Sequence, residues 1–149
     1  MAFYRCSSRK ASIIGIVKAA DALPCPALFL SMEAAEKASG MEADFSFLLA
    51  RRAFAEKRNV SGKVSNEALL FLARETNFSS AVKKIGARDA GDFVLVLERR
   101  LPAPRVKKAL GLASVALVAK KKVGRSARQG AYPKDALGVE EMALARIRN

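Results

Sequence analysis

The sequence has no histidine and no tryptophan, and only two cysteines and two tyrosines among its 149 residues. Without histidine there is no Ser-His-Asp or Cys-His catalytic set, no His-ligated zinc and no imidazole proton shuttle. Cys6 and Cys25 are too few for a four-cysteine metal site. They read as two reduced thiols of a cytoplasmic protein, and a pairing between them stays open because sequence does not give their separation. No apolar run reaches the ~18–20 residues of a membrane helix. The N-terminal MAFYRCSSRK lacks the apolar core of a signal peptide. The expectation is a soluble, cytoplasmic protein with no membrane partner.

Acid is scarce beside base. Asp+Glu is 14 against Lys+Arg 27, a formal net charge of +13. The surplus is uneven. Residues 1–98 carry 14 basic and 11 acidic residues, a net of +3, whereas residues 99–149 carry 13 and 3, a net of +10. A field of that sign concentrates polyanions, and each phosphate contact releases counterions. Nucleic acid is the natural partner class; an acidic protein or membrane surface and a merely solvated basic surface are the alternatives.

What is abundant is apolar: 51% of residues are hydrophobic, enough for a core in a chain whose length suits one domain. Ser12–Val17 (SIIGIV) is short, β-branched and predicts a strand. Ala27–Leu30 predicts a second one after the breaker Leu23-Pro24-Cys25-Pro26. Ser31 suits the cap of a helix over Met32–Ala38, stopped by Gly40. A longer helix is predicted from Asp44 through Phe45–Arg58, with Phe47, Ala50 and Phe54 on one face and Phe45, Leu48 and Leu49 on another, so that it packs on two sides. Asn59–Lys63 reads as a loop.

Ser65 or Asn66 then caps a helix whose Ala68–Ala73 run is continuously apolar, hence buried, with Glu67 near its positive end. Arg74–Asn77 breaks it, and a short helix from Ser79 or Ser80 runs to Ile85. Phe93–Leu97 (FVLVL) is the clearest strand. Pro104 suits the first turn of a helix ending at Gly111, and Leu112–Val118 fits strand or helix. Residues 120–134 form a basic loop or arm, and Val139–Arg148 an amphipathic terminal helix. Helices in the middle with strands on either side predict an α+β fold: an antiparallel or mixed sheet packed against several helices in a single domain over residues 1–149.

Signatures of catalysis are missing. Gly86 and Gly91 have the spacing of a phosphate-binding loop, but Asp92-Phe93 stands where Lys-Ser/Thr is required. The pairs Glu33/Glu36 and Glu140/Glu141 fall on predicted first turns, where acids complement the helix dipole. Asp89 and Asp92 fit a turn. No catalytic residue, cofactor or metal is assigned. Two stretches suit binding: Lys57, Arg58, Lys63, Arg74, Lys83 and Lys84 around the apolar helix, and Lys120-Lys121-Lys122 with Arg125 and Arg128. Each is either a phosphate-binding surface or solvated charge. The apolar stripe of the terminal helix docks either on the chain's own sheet or on another protein.

The segment Asn59–Gly86, NVSGKVSNEALLFLARETNFSSAVKKIG, resembles the small kinase-binding subunits of the KEOPS complex, the TPRKB-like family. Asn59, Val60, Ser61, Glu67, Leu69, Leu70, Leu72, Ala81 and Gly86 carry the likeness. The preceding helix with Phe54 and the strand Phe93–Leu97 continue it, and Val139–Ile147 is similar to the family's closing Leu-Glu-Glu-Leu-Val-Leu-Glu-Arg-Val. The chain departs from the family's Ser-Gly-x-Arg-Gln-Ile break. Arg74 replaces the glycine and Thr76 the arginine, which puts in doubt any RNA contact made by that arginine.

The resemblance implies a non-catalytic subunit that binds the complex's kinase-like ATPase and holds tRNA at its 3′ CCA end. It thereby supports threonylcarbamoyl-adenosine modification. On that basis tRNA contact falls to Lys57, Arg58, Lys63, Arg74, Lys83 and Lys84, and the kinase interface to Met142, Leu144 and Ile147. The alternative is a free-standing basic RNA-binding protein associated with the ribosome.

Overall fold

The computed structural model describes residues 1–9, 12–88 and 90–118. The expected basic arm at 120–134 and terminal helix at 139–148 lie outside the described residues. The fold is α+β. In chain order the elements are β1 (Ala2–Ser7), α1 (Ile13–Ala19), a 3₁₀ turn (Ala20–Ala22), β2 (Ala27–Leu30), α2 (Met32–Lys37), α3 (Gly40–Ala55), α4 (Val64–Ala73), α5 (Phe78–Ile85), β3 (Phe93–Leu97), α6 (Ala103–Leu110) and β4 (Ser114–Val118). They gather into two compact units, one of Met1–Glu36 with residues 85–118, the other of Lys37–Lys84.

The first unit is a four-stranded sheet in the order β2-β3-β1-β4, every neighbouring pair antiparallel. β1 and β2 therefore run the same way with β3 between them, as do β3 and β4 with β1 between them. Such connections need a crossover, which α1 and α6 supply. This is the β-α-β-β-α-β arrangement of split βαβ folds, with α2–α5 placed in the β2–β3 connection.

β1 lies within the N-terminal segment, where sequence alone predicts no strand. Its register sets Tyr4 opposite Leu95 and Cys6 opposite Phe93. Ala2, Tyr4, Cys6, Phe93, Leu95 and Leu97 form one core with Ile16 of α1 and Val106 and Leu110 of α6. The alternate residues Phe3, Val94 and Val96 are buried as well.

Two buried groups fix details of this unit. The Tyr4 hydroxyl donates to the Leu101 carbonyl at 2.5 Å and accepts from the Leu101 N–H at 2.8 Å. It thereby pins the segment entering α6 to the central strand. Burial pushes the Cys6 thiol from 9.0 up to about 12. Both Cys6 and Cys25 are buried free thiols. Neither is expected to react with a thiol reagent in the native protein at pH 8, whereas both should react in denaturant. The folded Cys6 keeps its proton to higher pH than the unfolded one. Its contribution is therefore whole below pH 9 and falls above it, by up to about 1.4 kcal/mol per pH unit. Denaturant midpoints between pH 8 and 11 check this, with Cys6→Ala as the reference that lacks the slope.

Ser12–Val17, expected as a strand, is helix α1. The Ser12 hydroxyl accepts from the Ile14 N–H at 3.2 Å and caps it. A short apolar run carries no decisive period, and the same-direction pair β1/β2 requires the crossover. Ile16 is buried and Ile13 is packed partly against the core, while Ile14 is left exposed.

In the second unit α3 begins earlier than its apolar pattern suggests. Ser39 and Glu42 close a capping box, with Glu42 N–H to Ser39 Oγ at 3.0 Å and Ser39 N–H to Glu42 Oε1 at 3.4 Å. Ala43, Phe47, Ala50 and Ala53 are its buried face, and α3 packs on α4. Leu48, expected in a second packed face, is 59% exposed. In α4 every residue from Glu67 to Ala73 is buried.

Candidate nucleic-acid interface

All six basic residues singled out from sequence fall in the second unit, at helix ends and in the α3–α4 loop. α3 ends in a Schellman motif: Lys57 is left-handed (φ 58°), its N–H bonds to the Phe54 carbonyl, and the Arg58 N–H reaches Ala53 at 2.8 Å. α4 ends the same way. Arg74 is left-handed (φ 58°), with its N–H on Phe71 and the Glu75 N–H on Leu70. Glycine is the usual residue at both positions, because a Cβ there is strained.

The six differ in availability. Lys57 is exposed and makes no ion pair with any described residue. Arg58 pairs with Glu56. Lys63 is exposed at the start of α4. Arg74 is the least open: its guanidinium meets Glu42 Oε2 at 3.3 Å, joining the end of α4 to the start of α3. Lys83 and Lys84 are exposed in the last turn of α5, and Lys84 reaches Glu75 at 3.7 Å.

Glu67 has a larger part than its sequence role as a dipole-complementing acid. It is fully buried. Its Oε2 accepts from the Val60 N–H (3.0 Å), the Ser61 N–H (2.9 Å) and the Ser61 hydroxyl (2.9 Å). Asn59 Nδ2 closes the same loop on the Ser61 carbonyl at 2.9 Å. One carboxylate therefore shapes Asn59–Lys63, the loop between Arg58 and Lys63. The signal that could have found it is its place directly before the continuously apolar run Ala68–Ala73, since a carboxylate buried with such a run needs donors nearby.

No protein-family model matches the chain, and no curated protein matches it significantly.

The exposed aromatic side chain among the described residues is Phe78, 44% exposed at the start of α5, the helix that carries Lys83 and Lys84. An exposed ring on a helix that also carries cations combines the two features single-stranded nucleic acid uses, stacking of its bases and positive charge for its backbone. In sequence Phe78 sits beside a helix break and carries no signal of its own. The sheet offers no such platform. RNA-recognition motifs stack bases on aromatics of a four-stranded sheet, but here Phe3 and Tyr4 of β1 and Phe93 of β3 are all buried.

Among the described residues no group of three or more His, Cys, Asp or Glu is placed to hold a metal ion. No described helix is long and apolar enough to cross a membrane. Met142, Leu144 and Ile147 lie outside the described residues.

Proposed function

We propose that this protein is a non-catalytic accessory subunit of the KEOPS complex. In this reading it binds tRNA through the 3′ CCA end and binds the complex's kinase-like ATPase, supporting threonylcarbamoyl-adenosine modification. The observation that carries the tRNA part is the second unit: Phe78 is exposed on a helix ending in Lys83 and Lys84, in the same compact body as Lys57, Arg58 and Lys63. The likeness of Asn59–Gly86 to the small KEOPS subunits supports the assignment to that complex. The kinase contact is assigned to Met142, Leu144 and Ile147 on the resemblance of the closing segment.

Phe78→Ala tests the reading at the ring. Loss of one stacked base is worth about 1–3 kcal/mol. The variant should therefore bind intact tRNA roughly tenfold more weakly and tRNA lacking its CCA end as the parent does. Unchanged affinity for intact tRNA would remove Phe78 from the site. The rival reading, a free-standing basic RNA-binding protein associated with the ribosome, draws on the net +10 of residues 99–149. It predicts binding of structured RNA irrespective of the CCA end.

A further inference from the structure

The first unit carries a concentration of charge that the six residues above do not include. From residue 99 to residue 118 there are five basic residues, Arg99, Arg100, Arg105, Lys107 and Lys108, and no acid. Arg99 is engaged, its guanidinium donating to the Pro24 carbonyl at 2.8 Å. The other four are exposed, and none makes an ion pair with a described residue. α6 buries Val106 and Leu110. That turns Arg105 and Lys108, three apart, onto one outward flank, with Lys107 on the other side of the exposed face.

Lys107 and Lys108 lie in the last turn, where cations complement the dipole, but Arg105 lies in the first, where a cation opposes it. Helix stability alone therefore does not account for the set. The elements packed against α6 carry two charged residues, Lys18 of α1 and Asp21 of the 3₁₀ turn, and these are of opposite sign. The helix start offers no anion site of its own. Pro104 has no N–H, and the N–H groups of Arg105 and Val106 bond to the Pro102 carbonyl.

We infer that Arg100, Arg105, Lys107 and Lys108 form a second binding surface, and that its ligand is the phosphate backbone of double-helical RNA. This rests on the tRNA-binding reading and extends it from the single-stranded end to the stem. The chemistry selects the ligand. Residues 99–111 expose no large apolar side chain for insertion into a membrane surface. No described aromatic of the first unit is exposed to stack an unpaired base. What is left is unneutralised charge, which reads phosphate without reading sequence.

The test uses the whole chain and two probes, an intact tRNA and a blunt RNA hairpin with no single-stranded end. The variant with Arg100, Arg105, Lys107 and Lys108 all changed to Gln should bind both probes at least tenfold more weakly at physiological salt. Its slope of log K against log salt should be shallower by about two to three. Melting within a few degrees of the parent shows that it is folded. Phe78→Ala should weaken intact tRNA and leave the hairpin unchanged.

If the fourfold variant binds both probes like the parent while Phe78→Ala weakens tRNA, the α6 surface is overturned and the tRNA reading stands. If the fourfold variant loses tRNA but not the hairpin, the double-helical ligand is wrong. If it keeps both RNAs but loses binding to polyglutamate, the surface serves an acidic protein and the inference falls. If the parent binds no tRNA, both claims fall together.

Discussion

Glu67→Ala is expected to lower stability by about 3 kcal/mol. The carboxylate is fully buried and takes three hydrogen bonds on one oxygen, from Val60 N–H, Ser61 N–H and Ser61 Oγ. Hydrogen bonds to a charged group are worth about 1.5–3 kcal/mol each. Part of that returns here, because the loop is exposed and its freed donors can meet water. Glu67→Gln keeps one acceptor oxygen and should lose about half as much. Urea denaturation reads the global change. Hydrogen exchange at the Val60 and Ser61 amides reads the local one, and both should exchange much faster in Glu67→Ala. A loss under about 0.5 kcal/mol with both amides still protected would show that the loop is held by something other than Glu67.

The second large effect concerns charge. Reversing Lys57, Lys63 and Lys83 to Glu together should weaken tRNA binding about 100-fold at physiological salt. The salt slope should fall by roughly one unit for each phosphate that the lysines no longer neutralise. The three are exposed, so the fold should survive. Lys57 permits a sharper separation of binding from stability. Its left-handed backbone (φ 58°) strains any residue with a Cβ. Lys57→Gly should therefore raise stability by about 1 kcal/mol and still weaken tRNA binding, because the cation is gone. A variant that is more stable and binds less well cannot be explained by damage to the fold. If triple reversal leaves the salt slope unchanged, these lysines do not touch the RNA.

The parts of this fold that were legible in sequence are those where one local signal dominates. FVLVL is a strand because five apolar residues, valine, leucine and phenylalanine, stand between turn residues. Pro104 stands in the first turn of α6, and the helix stops before Gly111, whose positive φ (64°) is the glycine's purpose. Ala68–Ala73 is buried in α4 as its unbroken apolar run required.

The misses have physical causes. SIIGIV has strand propensity, but the antiparallel register of β1, β2 and β3 makes β1 and β2 run the same way, and the chain must cross over there as a helix. β1 itself was hidden in a polar-looking N-terminus, because Arg5 alternates outward between Tyr4 and Cys6 and breaks the apolar run. Leu48 looked like core because it shares a face with Phe45 and Leu49, and nothing local says that it alone of the three stays exposed. In the candidate site, the six cations were visible as charge. Their unequal availability was not, since the Arg74–Glu42 pair joins residues 32 apart. Phe78 was overlooked because its exposure is a tertiary property.

The central claim is that this chain holds tRNA by its single-stranded 3′ end. The most direct measurement is the affinity of the whole chain for one tRNA with its CCA end and for the same tRNA without it, at physiological salt. Each stacked base is worth about 1–3 kcal/mol, so trimming should weaken binding tenfold or more. Equal affinity for the two would contradict the claim, leaving binding by charge alone and the free-standing RNA-binding protein as the better account.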